Sequence, residues 1–324
     1  MTPPEDRTSH RLTVTNWRPT ASVGVLRRRA ELVERTRQFF RERNVLEVDT
    51  PVLQSGANLD HGVLPFRLDL HHGARFLPTS PEHPLKRLVA ADYGDVWALA
   101  PAFRVGERGS RHGPEFRMLE WYRLDWDDRR LAEEVIALLA LLTDKPSTHS
   151  IISWRDAFRT YADIDPLTAD DAAIMAHLGN DAAVANGDRR VALDLLLTRD
   201  VEPQLGRDSW TVLTDYPADQ CAQARIRNDA NGTPVAARFE IYRSGIELAN
   251  GYHELLDGSL LRERLAGELA SRTAGEQLDE RFLSAMAHGL PDCAGVAVGF
   301  DRVVMLALGL NHIEQTQAFG WENT

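Results

Sequence analysis

The sequence predicts an α+β domain in which helices flank an antiparallel sheet. An amphipathic helical pattern precedes the first strand, two pairs of strand-like segments enclose loops, and a last strand runs through glycine into an apolar helix. No internal repeat or linker divides the 324 residues. We therefore expect one domain over residues 25–324. Residues 1–24, rich in Pro, Thr, Ser and Arg without apolar periodicity, are expected to form an N-terminal arm.

The first helix is predicted to end at Asn44. On one face, at three- and four-residue steps, lie the apolar residues Leu26, Ala30, Val33 and Phe40. Arg37 is the only polar residue in this series. Residues 45–50 then have the pattern of a strand, and Pro51 ends it because proline has no N–H to donate to a ladder.

The rest of the chain alternates between strand and helix signals. Strand patterns occupy four segments: 96–104, 116–124, 209–214 and 238–255. The first two flank a long polar loop, and the last contains a turn at 243–245. Residues 131–200 are predicted to be mostly helical. A last long helix is expected to end at 288–291, where glycine and then proline stop it.

Composition limits the class of protein. The chain is 43% hydrophobic and 26% charged, its longest apolar run covers only residues 135–142, and its first residues have no signal-peptide core. These features predict a cytoplasmic enzyme without a membrane span. The net charge of −11 argues against a surface that binds nucleic acid throughout. Cys221 and Cys293 lack the spacing of a zinc site or a disulfide framework.

The first group of candidate site residues surrounds the loop between strands 96–104 and 116–124. Four cationic or basic side chains gather there: Arg104, Arg108, Arg111 and His112. One guanidinium group can donate two parallel hydrogen bonds to phosphate oxygens, so this loop is a candidate triphosphate site. A solvated charged hairpin is the alternative. On the outgoing strand Glu120 and Tyr122 share a face, and a carboxylate among apolar neighbours needs a cation or a surface salt bridge.

The second group consists of three carboxylates within one predicted hairpin: Glu240, Glu247 and Glu254. Oxygen-rich clusters of this kind suit Mg²⁺ bound together with nucleotide phosphates, whereas an exposed acidic hairpin is the alternative. Glu247 has the opposite parity to Asn250, Tyr252 and Glu254. One cavity could therefore contain all of them only if the strand is broken, and Asn250–Gly251 is the expected position of a bulge.

The third group is the strand of residues 295–299, which leads through Gly299 into the apolar helix 303–308 with Arg302 at its start. Glycine allows a flat ring or a phosphate to approach the backbone closely, and a helix N-terminus attracts anions. Taken alone, this pattern is also typical of an ordinary turn.

In this order and spacing, the three groups closely resemble the three motifs of class II aminoacyl-tRNA synthetases, and specifically the lysyl-tRNA synthetase catalytic core. The resemblance covers nearly the whole chain from Val25 and rests on these segments: LEVDTPVL, TSPE, FRVGERGSRHGPEFRMLEWYR, GIELANGYHEL and GVAVGFDRVVMLALG. It implies a class II catalytic core. Too few residues precede the first motif for an anticodon-binding domain, so none is expected.

The segments EFRMLEWYR and DCAGVAVGFDR resemble the lysyl-tRNA synthetase paralogues that modify a protein. The resemblance implies that ATP and Mg²⁺ are used and that lysine or (R)-β-lysine is activated. It also implies transfer to a lysine of elongation factor P, without tRNA, by a homodimer. Arg108 and Arg111 are then candidate docking contacts for this acceptor. Two alternatives stay open: a lysyl-tRNA synthetase-like enzyme that charges tRNA, and a non-catalytic paralogue.

The resemblance also implies a role for individual residues. Arg104 would hold the α-phosphate and Arg302 the γ-phosphate as catalytic residues, while Glu240 and Glu247 would bind Mg²⁺. Other residues implied in ATP binding are Val105, Gly106, Glu107, His112, Gly113, Phe116, Leu248 and Gly299. The usual glutamate of the second motif is displaced to Glu107, and Gly113 replaces a common asparagine, so adenine recognition must rely on Glu107 or on backbone groups.

The amino-acid pocket implied by the resemblance contains carboxylates for two ammonium groups. Its implied residues are Ser80, Pro81, Glu82, Glu120, Tyr122, Asn250, Tyr252, Glu254 and Ala297. Glu82 would receive the amino group near the substrate carboxylate, with Glu254 and Asn250 helping, while Glu120 and Tyr122 would bind the distal ammonium. Ala297 stands where lysyl-tRNA synthetases usually carry glycine. An asparagine-forming synthetase is disfavoured, because the second carboxylate of aspartate would be repelled by Glu120.

Overall fold

The computed structural model describes residues 17–272 and 275–324, so most of the predicted arm lies outside the described residues. The helices are α1 (Val23–Arg41), α2 (Glu82–Ala90), α3 (Asp128–Thr143), α4 (Trp154–Tyr161), α5 (Asp171–Leu178), α6 (Ala182–Ala185), α7 (Arg189–Leu196), α8 (Gly258–Ala270), α9 (Glu280–His288) and α10 (Phe300–Leu308). The strands are β1 (Leu46–Glu47), β2 (Arg67–Leu70), β3 (Gly73–Phe76), β4 (Val96–Phe103), β5 (Glu115–Leu124), β6 (His149–Ser153), β7 (Trp210–Pro217), β8 (Ile226–Asn228), β9 (Pro234–Arg243), β10 (Ile246–His253) and β11 (Cys293–Gly299).

One large sheet organises the fold, in the order β1-β4-β5-β11-β10-β9-β7-β6, with β8 paired to β9. The predicted α+β class is confirmed, and the six strands from β4 to β7 in this order are antiparallel as expected. At the two edges, β1 pairs with β4 and β6 pairs with β7 in parallel, so the whole sheet is mixed. Each parallel pair is joined by a long helix-containing crossover, which parallel strands require.

Several predicted boundaries change in the structure. The strand expected over 45–50 is reduced to the two exposed residues of β1. The segment 131–200, expected to be mostly helical, also contains β6. The last long helix is two helices, α8 and α9, and the Asp279 side chain caps the second by accepting from the Phe282 amide at 3.2 Å. The turn at 243–245 is confirmed, since both Ser244 and Gly245 adopt the left-handed conformation of a tight hairpin.

The two faces of the sheet have different partners. Side chains of one parity on β5 and β11, such as Leu119, Trp121 and Val298, are buried in a core shared with α1, α3 and α10. Side chains of the other parity, such as Glu120 and Ala297, face a cavity. The helices over residues 17–272 and 275–324 include none with the length and apolar character that a membrane-crossing helix requires.

Candidate active site

The cavity, about 390 Å³ in volume, lies on the central strands of the sheet. Its floor is made by residues of equal parity on adjacent strands. Gly295 lies opposite Tyr122 on β5 and Tyr252 on β10, and Ala297 lies opposite Glu120 and Asn250. The small residues of β11 therefore leave a trough between larger polar side chains on both sides, where a ligand can approach the backbone.

Most of the predicted site residues come together in this one cavity. Those that line it are Ser80, Glu82, Arg104, Glu107, His112, Gly113, Phe116, Glu120, Tyr122, Glu240, Glu247, Leu248, Asn250, Tyr252, Glu254, Ala297, Gly299 and Arg302. Three predicted residues do not line it. Pro81 is buried at the N-cap of α2. Val105 and Gly106 are exposed in the turn after β4, where Gly106 has a positive φ of 80°.

One end of the cavity is built around the buried carboxylate of Glu120. The Tyr122 hydroxyl donates to Glu120 Oε1 at 2.8 Å, and the Ser80 hydroxyl donates to Oε2. Burial, reinforced by the negative charge of Glu82, raises the pKa of Glu120 to about 8. A carboxylate that is costly to ionise here gains stability from a cationic ligand, which supports the predicted ammonium site.

Two further carboxylates in the same region are joined by Lys86. The sequence did not lead us to predict Lys86 as a site residue. Lys86 Nζ lies 2.7 Å from Glu82 Oε1 and 2.7 Å from Glu254 Oε2. Gln223 donates to Glu82 Oε2 at 2.8 Å. Burial raises the pKa of Glu254 to about 7, although the charge of Lys86 opposes this shift. Glu82 and Lys86 are four residues apart on α2, and this helical spacing was the available signal.

Gly295 makes room for this end of the cavity. A Cβ atom at this position would lie 2.2 Å from Tyr122 Cε1 and 2.6 Å from Glu254 Oε1. Such distances are far below van der Waals contact, so a side chain here would displace both groups. Glycine is therefore required by the close approach of β11 to the tyrosine ring and the carboxylate.

The opposite end of the cavity gathers the predicted phosphate-binding arginines. Arg302, the third residue of α10, donates from Nη1 to the Glu247 carbonyl at 2.8 Å, and its Nη2 lies 2.6 Å from His112 Nε2. Burial and the charge of Arg302 lower the pKa of His112. Arg104 extends over the Phe116 ring, 5.1 Å from its centroid. Two guanidinium groups and a helix N-terminus thus provide positive charge for a polyphosphate.

The start of α10 is held in place by a buried carboxylate. Asp301 accepts from the Arg117 amide at 2.8 Å on β5 and pairs with Arg29 Nη2 of α1, also at 2.8 Å. Asp301 is only 1% exposed. Because Asp301 precedes Arg302 directly, these contacts hold the backbone that carries the predicted phosphate-binding arginine, at the edge of the same cavity.

Glu240 and Glu247 lie on the same face of the β9–β10 hairpin, as a shared metal site would require. The bulge that brings them together lies between Glu247 and Ala249, so its expected position at Asn250–Gly251 is wrong. Glycine at position 251 instead makes room for the Phe239 ring, since a Cβ there would lie 2.4 Å from Phe239 Cζ. Burial and the charge of Glu240 raise the pKa of Glu247, which a nearby cation would counteract.

The donor set at this hairpin suits Mg²⁺ only together with a nucleotide. Both oxygens of Glu240 already accept hydrogen bonds, from Arg238 Nη2 and from the Tyr242 hydroxyl, each at 2.6 Å. Within the described part of the chain, no group of three or more His, Cys, Asp or Glu side chains is arranged to hold a metal ion. Glu240 and Glu247 could therefore supply two oxygen ligands, and phosphate oxygens and water would have to complete the shell.

Other cavity residues were not among the predicted site residues. Asp60 lies in the loop before β2, and burial together with the charge of Glu82 raises its pKa. Arg238 donates to Asn250 Oδ1 at 3.2 Å and to Glu240, and its parity with Glu240 was the available signal. Arg190 and Asp194 of α7 reach the cavity from the helical segment between β6 and β7, and only tertiary structure brings them there.

Comparisons with known proteins agree with this geometry. The model of the family described as tRNA synthetases class II (D, K and N) matches residues 5–323. A protein of Salmonella dublin named elongation factor P–(R)-beta-lysine ligase is 41% identical over 318 residues, which are 94% of this chain and 97% of the relative. A protein of Yersinia enterocolitica with the same name is 41% identical over 319 residues, again 94% and 97% of the two chains.

Proposed function

Since this chain belongs to the tRNA synthetases of class II (D, K and N), we propose that it is an ATP-dependent ligase for elongation factor P. It activates (R)-β-lysine or lysine and transfers the acyl group to the ε-amine of a lysine on that factor. The relatives are named ligases of elongation factor P and (R)-β-lysine, which supports this substrate and this acceptor. One observation supports this most strongly: a single cavity contains buried carboxylates at one end and Arg104 and Arg302 at the other.

The proposed reaction has two steps that need no protein nucleophile. In the first, a carboxylate oxygen of the amino acid attacks the α-phosphorus of ATP, and pyrophosphate leaves. In the second, the acceptor amine attacks the acyl carbon, loses a proton and releases AMP. Arg104 and Arg302 hold the phosphates in line and offset their charge, so catalysis rests on positioning and electrostatic stabilisation.

At the other end, Glu120 and Tyr122 hold the distal ammonium of the substrate, and Glu82 and Glu254 receive the second amino group. This assignment is supported by Glu254 Oε1, which has no hydrogen-bond partner among the residues that the structure describes. Glu240 and Glu247 would hold Mg²⁺ together with the nucleotide. A bound Mg²⁺ would neutralise phosphate charge and help pyrophosphate to leave.

The acceptor is tested by offering both candidates to the same enzyme. Purified protein, ATP, Mg²⁺ and labelled (R)-β-lysine are incubated with unmodified elongation factor P or with total tRNA. We expect label and a matching mass increase on one lysine of the factor, lost when that lysine is replaced by arginine. Label on tRNA alone would favour the tRNA-charging alternative and overturn the assignment.

The remaining features of the proposal concern where and how the acceptor meets the enzyme. Arg111 lines the cavity and donates to the Gly245 carbonyl at 3.0 Å, while Arg108 is 61% exposed and pairs with Glu322. Arg108 is therefore the more accessible of the two proposed docking contacts. A homodimer, as the resemblance implies, and a cytoplasmic location, where a translation factor is found, belong to the same proposal.

Amino-acid binding is expected to strengthen as the pH rises toward about 8. In the protein without substrate, the pKa of Glu120 is raised from 4.5 to about 8. Below pH 8 the carboxyl group must therefore release a proton before it can hold an ammonium group. The Michaelis constant for the amino acid should fall by up to about tenfold per pH unit between about pH 6.5 and 8. Initial rates of pyrophosphate exchange measure this constant, and a value independent of pH would contradict the role of Glu120.

Replacing Ala297 by glycine is expected to change the choice between lysine isomers. The Ala297 side chain lies between Glu120 and Asn250 on the cavity floor, where its methyl group takes space that glycine would leave to a ligand. A difference of this size is worth about 1 to 3 kcal/mol, so the ratio of α-lysine to (R)-β-lysine activation should rise about tenfold or more. If Ala297→Gly left the ratio of the two kcat/KM values unchanged, Ala297 would not select the substrate.

A further inference from the structure

Lys86 is an unusual residue in this chain. The sequence contains 37 lysines and arginines, of which only Lys86 and Lys145 are lysines. Lys86 is only 2% exposed. Burying an ammonium group is costly unless it is paired and hydrogen-bonded, and the guanidinium group is the usual choice for buried pairs. The side chain of Lys86 is thus buried at a position where this arginine-rich chain would be expected to use arginine.

The contacts of Lys86 explain why a compact cation fits there. Its Nζ atom lies 2.7 Å from Glu82 Oε1, 2.7 Å from Glu254 Oε2 and 3.0 Å from Gln223 Oε1. These acceptors come from three separate segments: α2, the end of β10 and the loop before β8. An ammonium group has three N–H donors that fan out from one atom, whereas the donors of a guanidinium group lie in one plane.

This arrangement leaves one oxygen of Glu254 available. Oε2 contacts Lys86, while Oε1 has no hydrogen-bond partner in residues 17–272 and 275–324 and lies beside the space kept open by Gly295. The side chain of Gln223 fixes the second oxygen of Glu82 in the same way. The orientation of both carboxylates is thus set from behind the cavity.

Lys86 is also the cation that pairs directly with Glu82 and Glu254 in a strongly acidic region. The charged and titratable groups around Glu82 and Glu254 are Asp60, His83, Lys86, Arg104, Glu120, Tyr122 and Arg225. Although burial alone would lower it, the charges of Glu254 and Glu82 raise the pKa of Lys86 above its usual value. Lys86 therefore stays charged, and its ion pair opposes protonation of Glu254.

We propose that Lys86 is a positioning residue of the amino-acid pocket, which fixes Glu82 and Glu254 through ion pairs and directs Glu254 Oε1 toward the amino group of the substrate. This inference rests on the proposed function. It adds a selection by charge. Among the described residues Lys86 is the one cation in an ion pair with Glu82 or Glu254, and Glu120 has only hydrogen bonds from Ser80 and Tyr122. A substrate with two ammonium groups neutralises the negative charge that remains. A neutral or acidic side chain would leave it unneutralised.

The test compares Lys86→Met and Lys86→Arg with Lys145→Met, a lysine outside the cavity. We expect both Lys86 variants to raise the Michaelis constant for the amino acid by at least about 30-fold in pyrophosphate exchange, with the constant for ATP nearly unchanged. In a Glu254→Gln background, Lys86→Met should cause a much smaller further loss, because the carboxylate that it positions is already gone.

The results separate this inference from its alternatives. Equal losses for ATP and for the amino acid, together with a lower melting temperature, would show a purely structural ion pair and overturn it. If Lys86→Met does not fold, Lys86→Arg keeps the charge and carries the test: an amino-acid constant like that of the wild type would overturn the inference. A wild-type enzyme that activates no lysine isomer would instead overturn the proposed function.

Discussion

Replacing Arg302 by alanine is expected to abolish nearly all adenylate formation. Arg302 stands at the N-terminus of α10 and contacts the Glu247 carbonyl and His112, so its guanidinium group faces the proposed triphosphate site. Without it, the negative charge that moves onto the leaving pyrophosphate loses one of its fixed partners. Loss of one such preorganised donor typically costs on the order of 10² to 10³ in kcat.

Arg117→Ala is the matched control for this experiment. Arg117 is an exposed residue of β5, and only its backbone amide contacts Asp301. Its truncation should leave pyrophosphate exchange within about twofold of the wild type. If Arg302→Ala retained most of the activity while Arg117→Ala behaved as expected, Arg302 could not be the phosphate ligand that the proposal requires.

Replacing Glu120 by glutamine is expected to weaken binding of every lysine isomer. The substitution keeps the size of the side chain and some of its hydrogen bonds to Ser80 and Tyr122, but it removes the buried charge. Loss of one partner from a buried charge pair costs about 2 to 5 kcal/mol, which corresponds to an increase of the amino-acid Michaelis constant of at least about 30-fold. The constant for ATP should change little, because the phosphate site lies at the other end of the cavity.

Glu115→Gln offers a control on the same strand, since Glu115 is exposed and does not line the cavity. Three measurements decide the role of Glu120. The loss should be similar for α-lysine and (R)-β-lysine, the dependence of binding on pH near 8 should disappear, and the Glu115 variant should show neither change. A loss confined to one isomer would assign Glu120 to isomer selection instead of to the shared distal ammonium.

Much of the fold could be predicted because its elements follow local patterns. The alternation along β5 and β11 separates core residues such as Trp121 from cavity residues such as Glu120, and this period of two is visible in the sequence. The strand β6 was not predicted, because it has only five residues, which are partly exposed and follow neither the strand period of two nor the helix period of 3.6. Its partner β7 begins far along the chain. The parallel direction of the edge strands depends on crossovers, which no local pattern encodes.

In the candidate site, too, the residues in local patterns could be predicted and those brought together by tertiary structure could not. Carboxylates and arginines clustered within single hairpins, such as Glu240 in the β9–β10 hairpin and Arg104 in the β4–β5 hairpin, were visible from their chemistry and spacing. Lys86 and Gln223 were not assigned, because the contacts of Lys86 with Glu254 and of Gln223 with Lys86 join segments far apart in sequence. The need for a bulge followed from the parity of Glu247. Its position did not, because neighbouring residues on β9 determine where the register can shift.

The central claim is that this cavity activates a lysine-type amino acid, and exchange of labelled pyrophosphate into ATP tests it most directly. The purified protein is assayed with Mg²⁺ and, in separate reactions, (R)-β-lysine, α-lysine, aspartate or no amino acid. We predict exchange that depends on a lysine isomer, is absent with aspartate and is lost in Arg302→Ala. Exchange with aspartate in place of lysine, or none with any lysine isomer, would contradict the account.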